Sequence, residues 1–277
     1  MAPVYGWNHS ERVLGKTLKD SGLRHQVIIA SKCGLTWGDD HVTANDLTKE
    51  NLFREIDGSL ERLQTDYIDI WQLHWPDPST PIEETCEALA EIKKSGKIRY
   101  IGLSNFAQAD MEVFDRLVGV DAQQGLYNMF ERNAASYHNI PLKYRTEDEM
   151  LPNVRARGQA FLPYSPMFQG LLAGRFTRSR TFSQTDIRNE NPKLSGELYQ
   201  KYFDGYEKLK LLADEIGHPT NEIAVNWLRQ KPEVTSIIGG ASCVEQVRQN
   251  IAALDWSIDD ETMARIGEIL EPYREMP

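Results

Sequence analysis

Short apolar runs alternate with longer amphipathic patterns along most of the chain. Six runs rich in β-branched or other apolar residues are typical of strands, at residues 26–32, 67–74, 98–104, 122–127, 159–165 and 235–239. Helical patterns fill most of the gaps, as where Leu52, Ile56, Leu60 and Leu63 repeat at helical spacing. This alternation predicts right-handed βαβ units around a parallel sheet, and therefore an α/β fold.

Helix starts and the strand count limit the architecture further. A capping box predicts a helix with Thr80 as N-cap, Pro81 at N1 and Glu83 at N3, and Ser257 with Asp260 marks another start. An open doubly wound sheet and a (β/α)8 barrel both accommodate the alternation, but the barrel requires eight strands. No linker divides the chain, so we predict one domain over residues 1–277. The polar stretch 170–199 is typical of a loop that covers a ligand.

Composition excludes several classes of protein. Acidic residues outnumber basic ones by 41 to 31, a net charge of −10 that disfavours a nucleic-acid surface. No apolar run approaches the roughly 18 residues of a membrane helix, and the N-terminus lacks the apolar core of a secretory signal. Cys33, Cys86 and Cys243 are far apart and indicate free thiols in a reducing compartment. We therefore predict a cytoplasmic protein without nucleic-acid or membrane partners.

Several familiar site motifs are missing. There is no GxGxxG, so the usual Rossmann dinucleotide fingerprint is absent. The six histidines show no HxH or HExxH spacing, which predicts that the chain has no metal site. Instead, polar side chains end five successive predicted strands, where parallel α/β folds carry their sites. They are Lys32, His74, Ser104 with Asn105, Gln124 with Tyr127, and Tyr164 with Ser165.

Seven words of the sequence occur in the order of a known family. They are APVYGWNHSE, VIIASK, LQTDYIDIWQLHWPDP, GKIRYIGLSNF, QGLYN, YSP and IIGGAS. With these words the chain resembles the aldo-keto reductases, most closely the branch of bacterial general-stress reductases and potassium-channel β-subunits. The resemblance implies a (β/α)8 barrel that binds a nicotinamide cofactor without a Rossmann domain. It also implies reduction of aldehydes or ketones to alcohols, with a small carbonyl compound as substrate.

The resemblance implies three catalytic residues. Tyr5 matches the family's proton donor, Lys32 its lysine and His74 its histidine. A tyrosine of pKa about 10 is a poor proton donor at neutral pH, and a neighbouring ammonium stabilises its phenolate. Because the channel β-subunits differ at the histidine position, His74 favours a working reductase. Trp37, Trp75 and Phe106 are candidates for an apolar substrate pocket.

The cofactor residues are implied in the same way. Ser104, Asn105 and Gln124 match groups that hold the nicotinamide carboxamide, and Tyr164 matches the aromatic residue that stacks on the ring. Positions along the pyrophosphate and at the adenosine end are matched by Ser165, Met167, Gly170, Arg175, Arg188, Gly240, Ser242, Gln246, Gln249 and Asn250. The arginines suit a 2′-phosphate, which favours NADP(H) over NAD(H). A helix over residues 244–254 would offer its N-terminus to phosphate.

The resemblance also implies strands that have no counterpart in this sequence. Family members carry two barrel strands and an Asp–Thr–Ala sequence before the VYG motif, whereas here Tyr5 is the fifth residue. We therefore predict a barrel truncated at its N-terminus, with about six of the eight strands. Unpaired strand edges would then favour self-association, and Lys32 would lack its aspartate partner.

Three functions remain open on the sequence. An NADP(H)-dependent carbonyl reductase leads, because Tyr5, Lys32 and His74 are all present. A catalytically impaired nucleotide-binding regulatory protein of the same fold is the alternative, favoured by the absent aspartate. A metal-dependent barrel hydrolase is the third, and the lack of ligand clusters disfavours it.

Overall fold

Parallel strands joined by helices form the first of two compact units into which the chain divides, Met1–Gln124 and Gly125–Pro277. A computed structural model describes residues 1–277. Each unit has a hydrophobic core of its own, built in the first around Trp71, Leu52 and Phe114 and in the second around Tyr202, Phe130 and Phe168. The α/β class is confirmed, and the eight-stranded closure, the truncation and the single domain stay predictions.

The first unit contains these elements in chain order: α1 His9–Ser21, β1 Ala30–Cys33, β2 Leu35–Trp37, β3 Thr43–Asn45, α2 Lys49–Leu63, β4 Ile68–Leu73, α3 Ile82–Lys94, β5 Ile98–Ser104, α4 Gln108–Val118 and the start of β6, Ala122–Leu126. Strands β1, β4, β5 and β6 are parallel neighbours in that order, while β2 and β3 form an antiparallel pair. The register pairs Lys32 with Gln72 and Ser104 with Gln124. Polar residues at the ends of the strands are therefore aligned at one edge.

Two sequence predictions in this unit are wrong in detail. The first strand begins at Ala30 and not at Gln26, because Arg24–Gln26 is a 3-10 turn and the Asp69 carboxylate accepts the Ile29 amide. The capping box does not form either. The Thr80 hydroxyl donates to Asp77 Oδ2 at 2.6 Å, and Pro81 stands at the N-cap without a side-chain cap bond.

The second unit is mainly helical. Its elements are β7 Ser136–Tyr137, β8 Ile140–Pro141, α5 Leu151–Arg157, β9 Ala160–Tyr164, α6 Gly196–Ile216, α7 Thr220–Arg229, α8 Val244–Ala252 and α9 Asp260–Leu270. The predicted loop 170–199 is irregular up to α6, apart from 3-10 turns at Ile187–Glu190 and Pro192–Leu194. None of the helices of the chain has the length and apolar content needed to cross a membrane.

Two further predictions, both in the second unit, are wrong in detail. Residues 235–239 are not a strand: Thr235 and Ile238 donate to β9, but the amide of Gly239 turns back to the carbonyl of Ile237 and interrupts the ladder. The last helix is capped by Asp259, whose carboxylate accepts the Thr262 amide at 2.7 Å, and not by Ser257.

Candidate active site

Tyr5 lies in a tight turn that leads into α1. Its amide donates to the carbonyl of Ala2, and its carbonyl accepts the amide of Ser10. Gly6 follows with φ 62°, a left-handed conformation that a side chain would strain. The tyrosine side chain is 44% exposed, so it remains open to a ligand, while its ring packs edge-on against His74 at 5.6 Å.

Three predicted catalytic side chains meet around the phenol oxygen. Lys32 in β1 donates to Tyr5 Oη at 3.4 Å, and His74 Nε2, just after β4, lies 3.3 Å from the same oxygen. Lys32 and His74 are 3% and 7% exposed. The amide of His74 donates to the carbonyl of Cys33, which fixes the two strand ends side by side. The resemblance therefore selected residues that the fold brings together.

Burial sets the charges of this group. It lowers the pKa of Lys32 to about 8, so the amine is still mostly an ammonium at neutral pH. Burial and the charge of Lys32 hold the pKa of His74 well below its usual value, so the imidazole is neutral. No carboxylate forms an ion pair with Lys32. The buried Glu11 instead binds Ser31 at 2.6 Å and Arg62 at 2.7 Å.

Buried amides extend the site along the same strand edge. Asn105 Nδ2 donates to the carbonyl of His74 at 3.1 Å and to Ser104 Oγ at 3.0 Å. Gln72 Nε2 donates to Gln124 Oε1 at 3.1 Å, while Gln72 Oε1 is buried without a hydrogen-bond partner. The sequence reading missed Gln72. Strand alternation, which places it on the same face as His74, was the signal that could have found it.

The second unit contains a cavity of about 620 Å³. Ten predicted cofactor residues line it: Ser165, Met167, Gly170, Arg175, Arg188, Gly240, Ser242, Gln246, Gln249 and Asn250. Gln169, Phe176, Arg180 and Asn221 line it too and were not predicted. Tyr164 is not among the lining residues, and its ring packs edge-on against Tyr137 at 5.1 Å. Its predicted stacking role stays a prediction.

Three guanidinium groups make this cavity cationic. Arg188 is paired with Asp186 through two of its nitrogens, at 2.9 and 2.5 Å. Arg175 and Arg180 are exposed and form no ion pair, and Arg180 lies 5.1 Å above the ring of Phe176. Two exposed guanidinium groups that form no ion pair in one cavity suit an anionic ligand.

Helix α8 borders the cavity with its N-terminal end. The Gln246 side chain accepts the amide of Ser242 at 2.6 Å, and the N-cap Cys243 makes no side-chain cap bond. The first amides of the helix therefore have no partner within it, as suits a phosphate. Cys243 is exposed, whereas Cys33 and Cys86 are buried. The predicted end at residue 254 is two residues too long.

Comparison with known proteins assigns the chain to a family. The model of the aldo/keto reductase family matches residues 1–271. Aldo-keto reductase YhdN of Bacillus subtilis (strain 168) is 35% identical, covering 98% of this chain and 78% of YhdN. NADH-specific methylglyoxal reductase of Escherichia coli (strain K12) is 32% identical, covering 98% and 82%. The glycerol dehydrogenase AKR11B4 structure from Gluconobacter oxydans, 31% identical, superposes with a TM-score of 0.88 over 100% of this chain and 81% of that one.

The chain belongs to the aldo/keto reductase family. Potassium-channel β-subunits are also among its relatives, so the branch implied by the sequence words is confirmed. Aldo/keto reductases are oxidoreductases of carbonyl compounds that use NADH or NADPH, and the residues present fit such a cofactor. The unpaired arginines and open helix end suit its phosphates. The orphaned buried acceptor Gln72 Oε1 suits a carboxamide donor.

Proposed function

We propose that this aldo/keto reductase reduces aldehydes or ketones to alcohols with NADPH, using Tyr5 as the proton donor. The observation that carries the proposal is the placement of Tyr5 Oη within 3.4 Å of both Lys32 Nζ and His74 Nε2. A phenol held between a buried ammonium and a neutral imidazole can release a proton to a developing alkoxide.

Each side chain has one part in the reaction. The carbonyl carbon would receive a hydride, which NADPH would supply when bound. Tyr5 Oη donates its proton to the carbonyl oxygen, and the Lys32 ammonium stabilises the phenolate that remains. Neutral His74 presents Nε2 beside the same oxygen, where it orients the carbonyl. Ser104, Asn105 and Gln124 would hold the carboxamide of the nicotinamide. Burial of Lys32 limits the screening of its charge by water.

The direct test is oxidation of NADPH, followed at 340 nm, with an aromatic aldehyde and the purified 277-residue chain. Aldehyde-dependent oxidation with formation of the alcohol supports the reductase. Tight NADPH binding without oxidation would favour the second candidate, a nucleotide-binding regulatory protein. One observation favours that candidate: Lys32 has no carboxylate partner to orient it.

Reduction should slow as the pH rises through about 8. Lys32 loses its proton there because burial has lowered its pKa, and the neutral amine no longer stabilises the Tyr5 phenolate. We expect kcat/KM to be flat between pH 6 and 7 and to fall about tenfold per pH unit well above 8. The measurement is a pH profile at saturating NADPH. A flat profile to pH 10 would contradict the assigned role of Lys32.

The unpaired arginines should set the preference for NADPH. Arg175→Ala and Arg180→Ala each remove a cation from the cavity, so we expect the Kd for NADPH to rise about tenfold while that for NADH changes little. Arg178→Ala is the matched control, because Arg178 forms ion pairs with Asp204 and Glu207 and does not line the cavity. Equal losses for both dinucleotides would instead indicate contacts to the pyrophosphate.

A further inference from the structure

A buried ion pair that the reaction does not use lies in the second unit. Lys193 and Glu131 are 0% and 3% exposed, and Lys193 Nζ donates to Glu131 Oε1 at 2.7 Å. Lys193 Nζ also donates to the carbonyl of Ser136 at 2.7 Å. Removing two charges from water costs more free energy than a buried pair usually returns, so such a pair is weak evidence for a role in overall stability.

Glu131 connects both ends of one segment of the chain. Its Oε1 binds Lys193, and its Oε2 accepts Asn128 Nδ2 at 2.7 Å. The second hydrogen of the same Asn128 amide goes to the carbonyl of Ser165, at 3.0 Å. One carboxylate thus holds residue 193 directly and residue 165 through a single side chain. We call residues 165–193, the part of the chain between these two contacts, the pocket segment.

The pocket segment supplies most of the residues that line the 620 Å³ cavity, from Ser165 to Arg188. Its start is unfavourable backbone: Ser165, Phe168 and Gln169 have φ of 56°, 45° and 52°. Side chains in this left-handed region cost about 1 kcal/mol or more each, so the surroundings must enforce the conformation. Closing the segment at its base limits the alternatives available to it.

A second connection runs from the backbone of the same lysine to Gln169, the last of these three residues. The Lys193 amide donates to Asn191 Oδ1 at 3.0 Å, and Asn191 Nδ2 donates to Gln169 Oε1 at 2.9 Å. Gln169 Nε2 in turn lies 2.7 Å from His138 Nε2. The carbonyl of Gln169 accepts from Arg188, one of the cavity cations. Three successive contacts thus link the Lys193 backbone to a cavity guanidinium.

We propose that Glu131 and Lys193, with Asn128, form a clasp that fixes the pocket segment in the shape that binds a dinucleotide. Both are positioning residues, because neither lines the cavity. The inference rests on the proposed function, since it assumes that the cavity takes a dinucleotide. Without the clasp, the free protein must order the segment upon binding, and affinity falls by that cost.

The test compares neutralised and control variants. Lys193→Met alone leaves Glu131 buried without its cation and is at risk of unfolding, so the decisive variant is the double replacement Glu131→Gln with Lys193→Met. Lys210→Met is the matched control, since its ion pair with Asp214 is exposed on α6. For each folded protein we would measure NADPH affinity by fluorescence titration, kcat at saturating NADPH, and tryptic cleavage at Arg175, Arg178, Arg180 and Arg188.

The double variant should bind NADPH about tenfold more weakly, keep kcat within about twofold, and be cut faster in the pocket segment. Saturating NADPH should restore resistance to trypsin in this segment. A general loss of stability would instead speed cleavage throughout the chain, not only in the pocket segment. If the double variant folds and shows wild-type NADPH affinity and wild-type cleavage, the proposed clasp is wrong and the proposed function is unaffected. If the wild type does not bind NADPH, the proposed function is wrong, and so is the role of the clasp in cofactor binding. Faster cleavage of the double variant would in that case still show that the clasp fixes the pocket segment.

Discussion

Tyr5→Phe is expected to slow aldehyde reduction by about a thousandfold and to leave NADPH binding intact. The change removes only the hydroxyl that lies between Lys32 and His74, which is the proposed proton donor. General acid catalysis contributes about 10²–10⁴-fold, so we expect kcat to fall by about a thousandfold. Stopped-flow or steady-state oxidation at 340 nm measures the rate, and fluorescence titration measures NADPH binding.

Tyr100→Phe is the control, because Tyr100 is a half-exposed tyrosine of β5 in the same unit. It should retain wild-type turnover and affinity. If Tyr5→Phe also retained turnover, Tyr5 would not be the proton donor. If it lost turnover and NADPH binding together, the phenol would have a structural role.

Lys32→Met is expected to lose activity and to gain stability. Loss of the ammonium leaves the Tyr5 phenolate without its stabilising charge, so kcat should fall by about 10²-fold or more. The gain in stability arises because the wild-type native state buries the Lys32 charge. Lowering the pKa of Lys32 from 10.5 to about 8 corresponds to a loss of about 3 kcal/mol in the free energy of unfolding of the wild type at neutral pH. Methionine of similar shape avoids that cost.

The pH dependence of the stability difference between Lys32→Met and the wild type is an independent test of the burial argument. Between about pH 8 and 10.5 the unfolded wild type binds a proton at Lys32 that the native protein has lost, so its free energy of unfolding rises with pH there. The advantage of Lys32→Met should therefore be largest below pH 8 and shrink towards pH 10.5. Urea denaturation at pH 7 and pH 10 measures it. A variant less stable than the wild type at pH 7 would contradict the burial argument.

The sequence predicted the parallel strands better than it predicted the ends of strands and helices, where side chains compete for backbone hydrogen bonds. Strand β5 and the buried face of α2, with Leu52, Ile56 and Leu63, agree with the periodicity because burial alone determines them. The first strand and the capping box fail because the carboxylates of Asp69 and Asp77 take the bonds that local patterns assign elsewhere. Asp69 is distant in sequence from the first strand, and Asp77 lies outside the capping box.

The candidate site divides in the same way. Tyr5, Lys32 and His74 were identified from family words. Two strand ends place Lys32 and His74 side by side, and the turn before α1 brings Tyr5 to them. Arg180 was missed because an arginine in a polar loop has no periodic signal, and only the fold shows that it faces the cavity. The clasp was invisible for a related reason. Glu131 and Lys193 are 62 residues apart, and charged residues in irregular segments ordinarily indicate a solvated surface.

The difference among the three cysteines has a practical consequence. Burial raises the pKa of the Cys33 and Cys86 thiols, to about 12 for Cys86, and keeps reagents from both. Cys243 is exposed at the N-cap of α8, next to Ser242 in the cavity wall. A maleimide dye added to the native protein would therefore attach at one position. The labelled chain becomes an optical reporter of ligand entry, with no engineered cysteine and no native one to remove.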